Sequence, residues 1–227
     1  MVRWGILGLG RAANSFANAI KEVKNAKITA VSSLSKKKNF IFGEKFNILK
    51  NFRFNEYEGL INCEKVDAIY ISTLNNKHTD LIIKSAKAKK GILCEKPMAL
   101  TKQELEKAFI QLNHSKVFFL ENIAYRSHPQ TIEIINQVSN KEIGDIINVD
   151  SSFGFKVNPL LKFKPGQRLF NKKFGGGAIN DIGCYPVSFA VLIARILKNK
   201  NQEIPYNIIN ASVKNNFRGT DDDAYLH

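Results

Sequence analysis

A glycine-rich turn near the N-terminus constrains the fold of this chain more than any other feature. The turn, GLGRAA at residues 8–13, follows an apolar run at 2–7 and precedes residues with helical spacing. In such a turn Gly8 permits the tight bend, Gly10 lets a ligand approach the backbone, and Ala13 permits close packing of helix on strand. The N–H groups at the helix start then bind phosphate. The turn therefore predicts a site for a dinucleotide, formed by Gly8, Leu9, Gly10, Arg11, Ala12 and Ala13.

Apolar strands and helices alternate from the turn to residue 122. Strands are predicted at 2–7, 27–33, 51–54, 66–72, 92–95 and 117–120. A helix at 77–90 is predicted to end at Gly91, because glycine commonly terminates helices. Strands that alternate with helices form a parallel sheet through right-handed crossovers. Residues 1–122 therefore predict a Rossmann domain with a doubly wound parallel sheet, and the fold class is α/β.

The pattern changes in residues 123–227. A helix is predicted at 128–139, strands at 146–156 and 206–217, and a further strand that begins near Ala224. The apolar stretch 182–197, which contains Pro186 and Arg195, predicts a buried helix too short to span a bilayer. This mixture predicts a second, α+β domain with an open, mostly antiparallel sheet.

Charge and cysteine content limit the ligands and the location that we expect. The chain has 34 Lys and Arg against 20 Asp and Glu, for a net charge of +14, but the lysines are scattered and not interleaved with aromatic residues. This distribution favours a phosphorylated ligand over nucleic acid. Cys63, Cys94 and Cys184 lack the spacing of a zinc site or a disulfide framework. We therefore expect a cytoplasmic protein that binds no metal, nucleic acid or membrane.

The end of the second predicted strand indicates the cofactor. NAD sites carry an Asp or Glu about 20 residues after the glycine turn, which bonds the ribose 2′-hydroxyl. Residues 31–38 read VSSLSKKK and contain no carboxylate. The hydroxyl of Ser33 and the cation of Lys37 instead suit a 2′-phosphate. The sequence therefore favours NADP(H), with NAD as the alternative if these lysines are only a solvated helix start.

Four further motifs follow the turn in order: STLNNKH at 72–78, GILCEKP at 91–97, ENIAYRSHPQ at 121–130 and GGGAINDIGCYP at 175–186. Together they resemble the family of glucose–fructose oxidoreductase and inositol dehydrogenase, and within it the branch of NADP-dependent D-xylose dehydrogenases and trans-dihydrodiol dehydrogenases. The resemblance implies an enzyme that transfers a hydride between NADP(H) and a hydroxyl or carbonyl carbon of a sugar, cyclic polyol or dihydrodiol, within a homo-oligomer such as a dimer. Because family members run longer than this chain, we expect the second domain to be incomplete at its C-terminus.

The resemblance also assigns site residues. It places the active-site lysine at Lys96 and the proton-transferring tyrosine at Tyr185, four residues after Asp181. A nearby lysine cation lowers the pKa of a tyrosine, and helical residues four apart share a face. We therefore predict Tyr185 as acid and base, Lys96 as its electrostatic partner, and Asp181 as the residue that orients the substrate or adjusts the lysine. Further cofactor contacts are predicted at Thr73, Asn75, His78, Glu95, Lys96 and Asn122.

One other class of function stays open. A non-catalytic homologue could keep the dinucleotide site as a sensor or regulator, and an incomplete second domain would favour it. The presence of Lys96, Asp181 and Tyr185 favours the enzyme. The motif at 72–78 has Leu74 where the family usually has proline, which makes that turn less rigid.

Overall fold

The chain divides into two units, Met1–Asn122 and Ile123–His227. The structure, a computed structural model, describes residues 1–163, 166–198 and 208–226. The first unit is therefore described without gaps.

The first unit is built on a parallel sheet. Its strands are β1 Val2–Leu7, β2 Ala26–Ser32, β3 Arg53–Phe54, β4 Ala68–Ile71, β5 Gly91–Glu95 and β6 Phe119–Asn122. They lie in the order β3-β2-β1-β4-β5-β6, and every adjacent pair is parallel. The strand order reverses direction between β1 and β4, and sheets of this kind bind ligands beyond the carboxyl ends of the strands at that point. The predicted doubly wound sheet is confirmed.

Helices cover both faces of this sheet: α1 Arg11–Ile20, α2 Lys36–Lys45, α3 Tyr57–Ile61, α4 His78–Lys87 and α5 Lys102–Ser115. One face contributes Ile69 and Ile71 to a core with Leu81 of α4. The other face packs against Ala13 and Ala17 of α1, which are fully buried. Strand β4, with the sequence AIYI, is buried at every position because both of its faces are covered.

Several element boundaries in the first unit differ from the prediction. Strands β3 and β4 begin at Arg53 and Ala68, each two residues later than predicted. Helix α4 ends at Lys87, and the left-handed turn that follows is made by Lys89, with a φ of 59°. Gly91, which we expected to end the helix, is instead the first residue of β5 and pairs with Ala68. The last strand of the sheet begins at Phe119, two residues later than predicted.

The described residues of the second unit form two α-helices and a hairpin. The helices are α6 Pro129–Ser139 and α7 Cys184–Leu197, and a π-helical turn, Ile179–Gly183, leads directly into α7. Strands β7 Ala211–Asn215 and β8 Asp221–Leu226 pair with each other in antiparallel register. The α+β composition is confirmed, with an antiparallel sheet of two strands in the described part of this unit.

The prediction of a strand at 146–156 is wrong. The segment is irregular, and the side chain of Ile147 is 97% exposed. Its alternating pattern fits a half-buried strand, but a strand also needs a hydrogen-bonding partner. The two strands described in this unit, β7 and β8, pair with each other and not with this segment. Of the strand predicted at 206–217, residues 211–215 form β7, while 206–207 lie outside the described residues. The strand predicted near Ala224 is confirmed as part of β8.

Helix α7 is less buried than predicted. Of its 14 residues, all of them described, only Ser188 and Ile193 are buried. The stretch Lys172–Leu197, which includes the predicted segment 182–197, is long and apolar enough to cross a membrane by length and composition alone. One such stretch is weak support for a membrane span, since core helices of soluble proteins share these properties.

Candidate functional site

The glycine turn lies at the reversal of the strand order and is tied to the end of β4. Gly8 has a φ of +85°, and a Cβ there would lie 2.7 Å from the carbonyl oxygen of Ser72. Ser72 donates its backbone N–H to the oxygen of Leu7 at 2.8 Å, and its hydroxyl to the oxygen of Gly8 at 2.8 Å. Glycine is therefore required at position 8 both for its left-handed backbone and for the close approach of two strand ends.

The start of α1 is open. Gly10 precedes the helix, no side chain among the described residues caps it, and no described atom lies within 4 Å of the place where a Cβ of Gly10 would stand. The first N–H groups of a helix lack intrahelical partners and form the positive end of its dipole. Ala13 is fully buried against the sheet, which brings the helix close to β1. These features fit the pyrophosphate of a dinucleotide.

The loop after β2 carries the predicted 2′-phosphate residues. Ser33 is only 6% exposed, and its hydroxyl oxygen accepts the N–H of Ser35 at 3.2 Å. The hydroxyl of Ser35 in turn caps α2 by accepting the N–H of Lys38 at 3.3 Å. Lys37 is exposed in the first turn of that helix, between Lys36 and Lys38. The loop therefore presents three lysines and a helix N-terminus at one place, which suits a phosphate, whereas most of the Ser33 side chain is enclosed.

The capping role of Ser35 was not part of the sequence prediction. A serine directly before a helical segment is the usual signal for an N-cap, so the sequence did carry it.

His78 joins two loops of the site. Its ring is fully buried, with Nδ1 2.8 Å from the carbonyl oxygen of Pro97 and Nε2 3.3 Å from that of Thr73. Asn75, also buried, begins the short 3₁₀ turn Asn75–Lys77 that leads to this histidine. Any influence of His78 on a bound cofactor would therefore act through the two backbone segments that it connects.

Glu95 and Asn122 lie side by side at the carboxyl ends of β5 and β6, where they are register partners. The side-chain nitrogen of Asn122 donates to Glu95 Oε1 at 2.6 Å, and the hydroxyl of Tyr70 donates to the same oxygen at 2.6 Å. Burial, and then the charge of Glu95, raise the pKa of Tyr70 well above its usual range, so this tyrosine is a donor at neutral pH. Sequence reasoning missed Tyr70, because its contact depends on strand register.

The segment after Glu95 is anchored on both sides. The Lys96–Pro97 peptide is cis. The N–H of Met98 donates to Glu121 Oε1 at 2.8 Å, and the hydroxyl of Thr79 donates to the Met98 carbonyl at 3.3 Å. These bonds fix the backbone just after β5, where Lys96 lies partly buried.

Two side chains cap the start of the helix that follows, α5. Thr101 accepts the N–H of Glu104 at 3.2 Å. The Glu104 carboxylate accepts the N–H of Leu100 at 2.8 Å, one residue before the cap. The start of α5 is thereby fixed close to the Lys96 loop.

In the second unit, Asp181 lies in the π-helical turn and Tyr185 in the first turn of α7. The guanidinium of Arg168 donates to Asp181 Oδ1 at 2.8 Å, and the Asp181 side chain is only 13% exposed. The Tyr185 ring packs against Phe153 at 5.1 Å and Tyr125 at 6.2 Å between ring centroids. The two candidates thus lie on either side of a junction between π-helix and α-helix. The prediction that they share one face of a regular α-helix is therefore wrong, because the π-helical turn changes the helical spacing.

Two residues that hold Asp181 and the turn around it were missing from the prediction. Arg168 lies 13 residues away along the chain, and Asp221 comes from β8. Asp221 accepts the N–H of Ile179 at 2.6 Å and so caps the start of the π-helical turn. It lies against Gly177, which has a φ of +111° and no room for a Cβ beside the Asp221 carboxylate. Long-range partners of this kind have no signal in local spacing.

The structure therefore places the cofactor candidates of the first unit after the carboxyl ends of β1, β2, β4, β5 and β6. Asp181 and Tyr185 are neighbours in the second unit, and their approach to Lys96 stays a prediction. Within the described residues, no group of three or more His, Cys, Asp or Glu could hold a metal ion.

Family models match most of the chain. Residues 2–122 match an oxidoreductase family with an NAD-binding Rossmann fold, and residues 132–224 match a GFO/IDH/MocA C-terminal domain. The chain is 29% identical over 193 residues to trans-1,2-dihydrobenzene-1,2-diol dehydrogenase of Xenopus tropicalis, which covers 84% of this chain and 56% of the relative. It is 26% identical to D-xylose 1-dehydrogenase (NADP(+)) of Hypocrea jecorina, over 83% of this chain and 52% of the relative. The chain thus spans about half the length of the curated relatives that it matches.

Solved structures share the fold. KijD10, a 3-ketoreductase of Actinomadura kijaniata in complex with NADP and TDP-benzene, is 23% identical and has a TM-score of 0.83, over 99% of this chain and 65% of KijD10. Aldose–aldose oxidoreductase of Caulobacter crescentus is 24% identical with a TM-score of 0.82, over 98% of this chain and 65% of that protein.

Proposed function

Because the chain belongs to the GFO/IDH/MocA oxidoreductase family, we propose that it transfers a hydride between NADP(H) and a hydroxyl or carbonyl carbon of a sugar, cyclic polyol or dihydrodiol. One observation carries the proposal: an open, uncapped helix start stands beside Gly10 at the reversal of the strand order, among described residues that leave this space clear. That arrangement suits a dinucleotide pyrophosphate and has no evident structural purpose of its own.

The loop after β2 supports NADP(H) over NAD(H). A carboxylate at the end of β2 would bond the ribose 2′-hydroxyl of NAD, but Ser33 and Leu34 follow the strand instead. A 2′-phosphate adds negative charge, which Lys36, Lys37 and Lys38 at the start of α2 would attract. Relatives point the same way, since D-xylose 1-dehydrogenase carries NADP(+) in its name.

The proposed chemistry divides between cofactor and protein. A bound nicotinamide supplies the hydride or accepts it. In alcohol oxidation, Tyr185 as phenolate takes the hydroxyl proton of the substrate while the carbon gives up its hydride. The Lys96 cation would favour that phenolate, and Asp181, held by Arg168, would accept a hydrogen bond from a second substrate hydroxyl. Carbonyl reduction is the reverse, with the tyrosine as proton donor.

The names of the relatives support a small, hydroxyl-bearing substrate. One is a dehydrogenase of a dihydrodiol and another of D-xylose. A homo-oligomeric state and a cytoplasmic location are proposed with it, on the family resemblance and on the three isolated cysteines respectively.

The test is turnover. Purified chain is mixed with NADP(+) or NADPH and a panel of pentoses, hexoses, inositols, dihydrodiols and their keto forms, and the nicotinamide absorbance is followed. The proposal expects turnover of at least one member. If NADPH binds and no member of the panel turns over, a non-catalytic sensor replaces the enzyme. If neither NADPH nor NADH binds, the oxidoreductase assignment fails for this chain.

A further inference from the structure

Tyr70 occupies the middle of the first unit. It lies on β4, between β1 and β5, and is only 2% exposed. A buried aromatic ring at this place needs no polar atom for packing, and a buried hydroxyl is unfavourable unless it is bonded. The hydroxyl of Tyr70 therefore requires an explanation that the hydrophobic core does not give.

The ring of Tyr70 contacts the helix that follows the glycine turn. It stacks on Phe16 of α1, with centroids 4.1 Å apart and an angle of 24° between the planes. Trp4 of β1 meets the same phenylalanine edge to face at 5.2 Å. The apolar part of Tyr70 thus supports α1, whose first turn would hold the pyrophosphate.

The hydroxyl of Tyr70 points to the other end of the candidate site. Tyr70 pairs with Leu93, so Glu95, two residues further along β5, lies on the same face of the sheet. Glu95 Oε1 accepts both the Tyr70 hydroxyl and the Asn122 side-chain nitrogen, each at 2.6 Å. Because the nitrogen of Asn122 is engaged there, its amide has one fixed orientation.

We propose that Tyr70 is a positioning residue for the nicotinamide end of the site. Its hydroxyl holds Glu95, and Glu95 holds the amide of Asn122 in the orientation that a bound nicotinamide meets. Its ring supports the pyrophosphate end through Phe16. The inference rests on the proposed function and adds a residue to it that touches neither cofactor nor substrate.

The roles of the Tyr70 hydroxyl and ring can be separated by one substitution and two ligands. Tyr70→Phe keeps the ring and removes the hydroxyl. NADPH and 2′-phospho-ADP-ribose share everything except the nicotinamide, so titration with both isolates the nicotinamide end. We expect Tyr70→Phe to raise the Kd of NADPH about tenfold, equivalent to about 1.4 kcal/mol, and to change the Kd of 2′-phospho-ADP-ribose by less than about twofold. Tyr57→Phe, the same change at a half-buried tyrosine of the same unit, is the matched control and should alter neither.

A double variant tests the route of the effect. If Tyr70 acts through Asn122, Tyr70→Phe combined with Asn122→Ala should bind NADPH no more weakly than Asn122→Ala alone, because residues in one network are not additive. Where Tyr70→Phe does not fold, Glu95→Ala removes the shared acceptor and should give the same selective loss of NADPH.

Each outcome decides the inference. Equal weakening of both ligands would show a merely structural role and overturn it, as would unchanged affinity for NADPH. Wild-type protein that binds neither ligand would instead overturn the proposed function, which separates the two failures.

Discussion

The two glycines of the N-terminal turn are there for different reasons, and alanine at each position separates them. At Gly8, where φ is +85°, a Cβ would lie 2.7 Å from the carbonyl oxygen of Ser72 and 2.9 Å from the Cα of Thr73. At Gly10, φ is −94° and the Cβ position is clear of described atoms to 4 Å. We therefore expect Gly8→Ala to damage the fold and Gly10→Ala to damage the binding of a ligand.

The magnitudes follow from these contacts. For Gly8→Ala, the left-handed backbone adds about 1–2 kcal/mol, and crowding against backbone atoms adds about 1–3 kcal/mol. A loss of about 2–5 kcal/mol lowers the Tm of a chain of this size by about 4–20 °C. For Gly10→Ala, alanine is a poorer N-cap than glycine by about 1 kcal/mol at most, so the Tm should fall by no more than about 4 °C.

Thermal unfolding by circular dichroism and fluorescence titration with NADPH measure both effects on the same preparations. Gly10→Ala should fold and yet bind NADPH at least about tenfold more weakly, since its methyl group occupies space that the pyrophosphate needs. If Gly10→Ala binds NADPH as tightly as the wild type, the pyrophosphate does not lie against the backbone of Gly10. If Gly8→Ala has the wild-type Tm, the left-handed backbone and the close contact with Ser72 do not require glycine at this position.

Three other predictions concern stability, catalysis and cofactor choice. The Arg3 guanidinium bonds Asp67 and lowers the pKa of that carboxyl from 3.8 to about 2. The ionised carboxyl thus stabilises the fold above pH 3.8, so Asp67→Asn should lower the urea midpoint at pH 7. The difference from wild type should shrink below pH 3.8 and be lost as the pH falls through about 2. Tyr185→Phe should abolish turnover and leave the Kd of NADPH unchanged. Lys37→Ala should weaken the binding of NADPH by about 1 kcal/mol and leave the binding of NADH unchanged in parallel titrations.

Each of these has a result that would contradict it. A stability difference for Asp67→Asn that is as large at pH 2 as at pH 7 would remove the ion pair as its cause. Near-normal turnover of Tyr185→Phe would remove this residue from proton transfer. Equal weakening of NADPH and NADH by Lys37→Ala would make that lysine a general attraction rather than a 2′-phosphate contact.

The fold of the first unit could be predicted because its signals are local. Strand β1 is apolar except for Arg3 and ends at the turn at Gly8, and the helix after the turn has a clear apolar face. The end of α4 was misplaced because Lys89 takes the left-handed conformation usually given to glycine. Gly91 was therefore free to begin a strand.

The second unit was predicted less well because its strands depend on partners. Residues 146–156 alternate as β7 does, yet only β7 has a described partner strand, in β8. Alternation states which face of a strand would be buried, and it does not state whether another strand is present to bond it.

The candidate site divides in the same way. The glycine turn, Lys96 and the pair of Asp181 with Tyr185 stand in contiguous motifs, so the sequence alone could propose them. The contact of Tyr70 with Glu95 needs the register of two strands, and that of Arg168 with Asp181 needs the tertiary fold. Residues that hold a site in place are therefore the ones that motif reasoning misses.

Equilibrium binding of nicotinamide dinucleotides to the chain shows whether the glycine turn is a cofactor site. Calorimetric titration with NADPH and then with NADH measures stoichiometry and affinity without requiring a known substrate. We expect one NADPH to bind per chain, more tightly than NADH. Binding of neither dinucleotide would contradict the assignment of the glycine turn as a cofactor site, and tighter binding of NADH would contradict the role given to the lysines at the start of α2.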